Sequence, residues 1–383
     1  MKKFSFTIFC FLFLSFMISP IFSQEKEIFG IVYHDVNENQ IFDKNDKPLK
    51  DILVSNTSAI VKTDKNGEFN IPVSHRDIVW VVKPGDYRFS LRPNRVPDFY
   101  YLHYPEGTPA GILKYRGVPP TGPAPDTLFF ALYPVNAKDL ITANMIGDPQ
   151  IPGKEELQSF QLDILPELLK SKADFSLFLG DIADDYLDIY PSFEKSVKTL
   201  DMPLYMVFGN HDANYRSPDN SMKAETFRAH FGPDYYSFNY GKSHFVVLNT
   251  VDYHGWKKEE NRWGGYSGGI DPKQLEWVKQ DLEQVDNSYR IFLLSHIPLH
   301  EHFVKKQDLK ALFQLIENRD NITHLSGHTH NFISWKYDSS MLWENPNHFR
   351  GYSLGAACGS WWSGPFGADS IPAATCPDGT PNG

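Results

Sequence analysis

Beyond Asn136 the chain alternates apolar runs with helical patterns, and that rhythm constrains its fold more than any other feature. The runs are Leu140 to Ile146, Phe175 to Leu179, Leu204 to Phe208, Phe245 to Leu248, Ile291 to Leu294 and Ile322 to Leu325. Strand-like and helix-like stretches taking turns specify an α/β fold. Five of the six runs stop one to three residues before Asp148, Asp181, Asn210, His296 or His328. Open α/β sheets place their sites at the carboxyl ends of the strands, so these residues are expected to converge on one edge. A random scatter of Asp, Asn and His would obey no such rule.

The five positions belong to short motifs: Asp148-Pro149-Gln150, Gly180-Asp181, Gly209-Asn210-His211-Asp212, Ser295-His296 and Gly327-His328-Thr329-His330. Carboxylate, amide and imidazole dominate them, and no thiolate appears. That mixture suits a catalytic site for Zn, Mn or Fe; a closed structural zinc site favours cysteines. Between the first two runs, Leu157, Phe160, Ile164, Leu165 and Leu168 recur at helical spacing, with Pro166 expected to kink the helix. Asp271-Pro272 reads as the start of another helix, an N-cap followed by proline in the first turn.

With 383 residues, 41% of them hydrophobic and 15% aromatic, the chain can bury a large core and fill more than one domain. Met1-Lys2-Lys3, the apolar run Phe4 to Ile18 and the segment through Ser23 have the form of a signal peptide over residues 1–23. The expected location is periplasmic or secreted, with no transmembrane segment after cleavage. A retained anchor is the other reading, although the run falls short of the ~20 residues that span a bilayer. The net charge of −10 becomes more negative once Lys2 and Lys3 are removed, and no basic run offsets it. Nucleic acid and anionic lipid surfaces are therefore not expected as partners. An acidic chain can still take phosphate esters, because bound dications would dominate the field at the site.

Residues 24–96 show short apolar alternations broken by turns, as in Ile28 to Tyr33 and Ile52 to Val54, and read as a small β-sandwich. Inside it, Asp35, Asn37, Asn39, Asp43 and Asp46 occupy positions 1, 3, 5, 9 and 12 of an EF-hand-like oxygen-ligand loop, with Gln40 where glycine is expected. Structural calcium and a plain polar hairpin loop are both open readings. Residues 97–135, rich in Pro, Gly and Tyr, read as a connecting segment.

The ordered motifs resemble the calcineurin-like metallophosphoesterase superfamily, whose strand-end signatures run Asp-x-His, Gly-Asp, Gly-Asn-His-Asp/Glu, His and Gly-His-x-His. The likeness spans roughly Leu140 to Asn331. The N-terminal β-domain, the Pro-rich joint and Cys358-Gly359-Ser360-Trp361-Trp362 also resemble a bacterial multidomain branch of it. The resemblance implies an α/β four-layer sandwich over residues 136–362, two central β-sheets flanked by helices, with residues 363–383 leading towards a C-terminal module.

Mapped by motif, it implies a dinuclear site. Asp148, Gln150, Asp181 and His330 would hold one metal; Asp181, Asn210, His296 and His328 would hold the other. Asp181 is the implied bridge, since a carboxylate has two oxygens to offer two dications. Gln150 departs from the family pattern, which more often has histidine there. It is either a weaker ligand or a group that orients a metal-bound water. His211 is implied as the acid that protonates the leaving alkoxide, with Asp184, or else Asp212, to orient it. The implied activity is hydrolysis of a phosphomonoester or phosphodiester, a small molecule or a headgroup, by a metal-bridging hydroxide.

Other residues are read more plainly. Cys358 and Cys376 fit no metal motif and are either a disulfide or two buried thiols. His244, His254, His300, His302 and His324 are expected in packing or solvent, with His300 the one nearest to a substrate role. The aromatic segments Trp256 to Gly269 and Trp361 to Phe366 either wall the site or pack a domain joint. A non-catalytic envelope or glycan-binding protein on a vestigial fold is the alternative function; loss of ligands would be its signature, and every position is filled. A metallo-β-lactamase-like hydrolase would need His-x-His-x-Asp-His, which is absent.

Overall fold

The computed structural model describes residues 26–138, 140–368 and 370–382. The segment 1–23 expected as a signal lies outside the described residues. Strands Ala143–Ile146, Phe175–Phe178 and Leu204–Met206 form a parallel three-stranded sheet. A six-stranded sheet follows, ordered Tyr236–Tyr240, Ser243–Leu248, Arg290–Ser295, Ile322–Ser326, Phe349–Ser353 and Ile333–Lys336. Its interior pairings are parallel and its two edge strands antiparallel. All six apolar runs overlap strands of these two sheets, which form the α/β sandwich core.

Aromatic rings join the two sheets. Tyr205 lies face to face with Phe238, centroids 3.8 Å apart and planes 7° from parallel, while Phe175 stacks on Tyr240 at 4.3 Å and meets Phe245 edge-on at 5.4 Å. Such offset and edge contacts add to what burial alone contributes. On the outer face of the smaller sheet, Phe160 of helix Lys154–Leu162 and Phe193 of helix Tyr190–Val197 cover Phe178, at 6.5 and 5.5 Å. On the larger sheet, helix Lys306–Ile316 buries Leu309, Leu312, Phe313 and Ile316, and helix Pro272–Glu283 buries Trp277, Val278 and Leu282. The result is four layers, helix, sheet, sheet, helix.

Local sequence rules explain the helix ends. The first helix stops at Leu162 and a second runs Ile164–Lys170. Pro166 lacks an N–H, and its ring would collide with the carbonyl four residues back, at Leu162, so the expected kink becomes a complete break there. Asp271 caps helix Pro272–Glu283 by accepting from the Lys273 N–H at 2.8 Å.

The N-terminal region is a pair of sheets, one of five strands and one of four. Residues 97–135 do more than connect. Tyr100–His103 pairs with Asp77–Val81 in the smaller sheet, and Leu128–Pro134 runs parallel to Lys26–His34 in the larger. The second pairing joins residues about a hundred apart, so no local pattern announces it. In the Asp35–Asp46 loop, Asp35 accepts from the Asn39 and Gln40 N–H groups and from Tyr133, and Asp46 accepts from Val36 and Asp43. Gln40 sits at φ +62, the left-handed conformation for which glycine was expected.

N-terminal and catalytic regions share one continuous core. Trp277 donates its indole N–H to Ser55 Oγ at 2.9 Å and packs against Trp80 at 5.8 Å and Tyr235 at 5.2 Å. Both tryptophans are fully buried. Trp277→Ala is expected to lower the unfolding free energy by about 3–5 kcal/mol, read as an earlier midpoint in denaturant titration.

Candidate active site

The strand-end motifs meet at one edge. The smaller sheet delivers Asp148, Asp181 and Asn210 just past its three strands; the larger delivers His296 after Arg290–Ser295 and His328 and His330 after Ile322–Ser326. The turns that present them are tight. Asp148, Gln150, Asp181, His328 and His330 take φ values of +44, +35, +51, +73 and +55, a region that costs non-glycine residues about 1–3 kcal/mol each and is tolerated mainly at functional sites. Neighbouring glycines make the approach possible: a Cβ on Gly209 would lie 2.1 Å from Asp181 Oδ1, and one on Gly327 would lie 2.4 Å from Asp148 Oδ2.

His296 is central and fully buried. Its Nδ1 donates to the Leu179 carbonyl at 2.8 Å, which leaves Nε2 facing Asp181 Oδ2 at 3.1 Å, Asn210 Oδ1 at 3.1 Å and His328 Nδ1 at 3.3 Å. His330 is fixed the same way: Nδ1 donates to the Gly359 carbonyl at 2.9 Å, and Nε2 stands 3.5 Å from Asp148 Oδ1. In both rings a backbone acceptor selects the tautomer that turns the other nitrogen inward. The His328 N–H donates to Asp148 Oδ2 at 2.9 Å, tying the last motif to the first.

The electrostatics of this cluster fit bound cations. Burial pushes Asp148 up to about 7, with Asp181 adding to the rise against His296. Asp181 is equally buried, yet His296 and His211 hold it below the usual carboxylate range. Burial pulls His328 down to about 3 and also lowers His330, so both imidazoles are neutral and offer lone pairs. Burial opposes charge on His296, but Asp181 and Asp148 raise it to about 9; its proton occupies the place a metal would take. Ligand atoms of Asp181, His296 and His328 lie within 4.8 Å of one another. Two buried carboxylates, an amide oxygen and three inward imidazoles form a donor set for dications of the Mn, Fe or Zn type.

His211 stands at the rim. Its N–H donates to Asp181 Oδ1 at 2.8 Å, and its Nδ1 lies 3.2 Å from Asp184 Oδ1 and 3.1 Å from Asp185 Oδ1. Desolvation works against charge on this ring, but Asp181, Asp185 and Asp184 outweigh it and raise His211 to about 10. Asp212 does not orient His211. It is buried and accepts from the Ala183 and Gly209 N–H groups, at 3.1 Å each, and from the Tyr190 hydroxyl at 2.8 Å, bracing the loops behind the site.

Several residues at the site escaped sequence reasoning. Asp185 shares His211 with Asp184, and nothing in an Asp-Asp pair says which one turns inward. The other side depends on residues 356–362. Gly147 bridges to Ala356, the Cys358 N–H donates to the Asp148 carbonyl at 3.2 Å, and the Trp362 indole donates to the Pro149 carbonyl at 2.9 Å. Trp361 is 55% exposed and stacks on His330 at 4.5 Å. Cys358 and Cys376 are both free buried thiols, so the disulfide reading is not realised. Cys358 reaches Gln150 and His330. Tyr115, from the connecting segment, donates its hydroxyl to the Asp185 carbonyl at 2.7 Å. Of the remaining histidines, His244 and His324 are buried in hydrogen bonds away from the site, and His300 accepts from the His302 N–H in its own loop.

Three family profiles match the chain. "N terminal of Calcineurin-like phosphoesterase" covers residues 36–112, "Calcineurin-like phosphoesterase" covers 144–332, and "C terminal of Calcineurin-like phosphoesterase" covers 351–383. The chain is 26% identical over 223 residues to a probable glycerophosphodiester phosphodiesterase, GpdQ, of Arcobacter nitrofigilis, covering 53% of this chain and 77% of that one. It is 27% identical over 147 residues to purple acid phosphatase 15 of Arabidopsis thaliana, covering 34% of this chain and 25% of that one. A solved dimetal phosphatase from Danio rerio superposes with a TM-score of 0.42 at 16% identity, over 57% of this chain and 88% of that one.

The contrasting surroundings of the three aspartates predict contrasting stabilities. Asp212→Ala strands three buried donors and is expected to cost about 2–4 kcal/mol. Asp184→Asn and Asp185→Asn, at the more open rim, should each stay within about 0.5 kcal/mol of the parent. Thermal unfolding of the three variants side by side checks both statements.

Proposed function

The chain belongs to the calcineurin-like phosphoesterases and hydrolyses phosphoric ester bonds, and on that premise we propose that it cleaves small phosphomonoesters or phosphodiesters at a dinuclear centre built on Asp181. The observation that carries this reading is the convergence of Asp148, Asp181, Asn210, His296, His328 and His330 on one buried cluster with His211 at its rim. Asp148, Asp181 and His330, with Gln150 beside them, would hold one cation; Asp181, Asn210, His296 and His328 would hold the other. Such cations supply positive charge for the phosphoryl oxygens and lower the pKa of water so that hydroxide is available near neutral pH.

The chain's own residues do the rest. The Leu179 and Gly359 carbonyls take the Nδ1 protons of His296 and His330 and so aim their Nε2 atoms at the metal positions. Asp184 and Asp185 hold the proton on His211 Nδ1, and the charges of Asp181, Asp185 and Asp184 together favour the cationic ring. His211 Nε2 is then the atom that gives its proton to the departing ester oxygen. An acid contributes most where the leaving group is poor. His211→Ala is therefore expected to lose about a hundredfold or more in turnover of alkyl esters and far less with a nitrophenyl leaving group.

The deciding experiment is metal analysis of purified chain combined with turnover of aryl phosphate monoester and diester, for the parent and Asp181→Ala. Two metals per chain with activity lost in the variant is the expected result; a metal-loaded parent inactive on every phosphoester overturns it.

We also place the protein outside the cytoplasm, on the strength of Lys2-Lys3 followed by the apolar run Phe4 to Ile18. The mature chain recovered from the cell envelope or medium should begin near Gln24, and intact-mass measurement checks that. A chain that keeps Met1 in the cytosolic fraction would show the opposite.

A further inference from the structure

Position 150 carries an amide where the family pattern favours imidazole, and the surroundings of that amide assign it a task. Gln150 is 2% exposed. Its backbone N–H donates to the Asp181 carbonyl at 2.8 Å, which fixes where the side chain starts. One polar contact of the side chain is recorded: the Cys358 thiol donates to Oε1 across 3.7 Å. Cys358 is itself fully buried, and its other acceptor, the Gly359 carbonyl at 3.6 Å, already takes the His330 Nδ1 proton. The neighbouring His330 Nδ1, 3.8 Å away, is already a donor, committed to the Gly359 carbonyl at 2.9 Å.

An amide is planar, with its acceptor and its donors on opposite arms. With Oε1 turned to the thiol, Nε2 points the other way, and among the described residues no group accepts from it. The nitrogen is not among the sealed, unpartnered polar atoms of the described residues, so it keeps access to the site and can donate to a ligand that enters it. The site has no imidazole at this position, whose lone pair would favour a cation. It has two N–H donors, which favour an anion.

Resting on the phosphoesterase reading, we propose that Cys358 is a positioning residue that turns the NH2 of Gln150 inward, making Gln150 a donor to a phosphoryl oxygen and leaving Asp148, Asp181 and His330 to hold the first metal. The thiol sets which end of the amide faces substrate. Gln150 thereby contributes to phosphate recognition and little to metal affinity.

The test measures two quantities on each of Gln150→Ala, Gln150→His, Cys358→Ala and Cys358→Ser: Mn2+ bound per chain with its affinity by calorimetry, and the inhibition constant of inorganic phosphate. Gln150→Ala should keep two Mn2+ ions at affinities within about threefold of the parent, and weaken phosphate about tenfold. Gln150→His should tighten the first Mn2+ while weakening phosphate. Cys358→Ala should weaken phosphate severalfold without loss of Mn2+, and Cys358→Ser, which restores a donor, should recover most of that. Loss of one Mn2+ ion in Gln150→Ala overturns the proposal by making Gln150 a ligand. Unchanged phosphate inhibition in Cys358→Ala, or none of it recovered by Cys358→Ser, overturns the part assigned to the thiol. A parent chain that binds neither two Mn2+ ions nor phosphate would overturn the phosphoesterase reading, and this assignment with it.

Discussion

Asp148 and Asp181 are buried side by side, and much of the fold around the site serves that pairing. Two carboxylates removed from water repel each other strongly, since Coulomb energies grow as the local dielectric falls. The protein answers with His296 against Asp181 and with the His328 and His211 N–H groups on the carboxylate oxygens. Burial, with Asp181 adding to it, still lifts Asp148 in spite of those groups, whereas His296 and His211 hold Asp181 down. Bound cations would settle the remainder. Once the pair must be kept, the glycines at 209 and 327, the left-handed turns and the backbone anchors on His296 and His330 follow as the means of bringing so many donors within reach of one point.

The companion regions on either side of the catalytic fold are part of this arrangement. From the N-terminal side, Tyr115 holds the Asp185 carbonyl, and the Lys114 N–H and Tyr115 carbonyl pair with Asn214, three residues past His211. From the C-terminal side, residues 356–362 pin Gly147 to Pro149 and set the tautomer of His330. One flank supports the loop that carries His211, and the other supports Asp148 and His330. The common core through Trp80 and Trp277 makes the whole a single packed body.

What could be read in advance was whatever depends on short sequence distance. The strand ends and their ligand types were visible because an apolar run and the residue that follows it are neighbours in the chain. Pro166 and Asp271 declared themselves through rules that reach four residues or fewer. The rest is non-local. Leu128–Pro134 is a strand because it pairs with Lys26–His34, and its Pro/Gly-rich prelude hides that. The choice among Asp184, Asp185 and Asp212 depends on how one loop turns: Asp185 takes φ +61, and Asp212 is drawn inward by Tyr190. Cys358 looked irrelevant because a thiol 208 residues from Gln150 gives no sign of contact until the chain is folded.

The Gly359 carbonyl on His330 has a consequence in time. The two residues are 29 positions apart, and a ribosome adds roughly 5–20 residues per second, so His330 is synthesised about one and a half to six seconds before the group that fixes its ring. Asp181, Asn210, His296 and His328 are complete by then, with the Leu179 carbonyl already in place behind His296. The two halves of the centre therefore become available in sequence. A nascent chain stalled before residue 359 would already contain the Leu179 anchor of His296 and would lack the Gly359 anchor of His330.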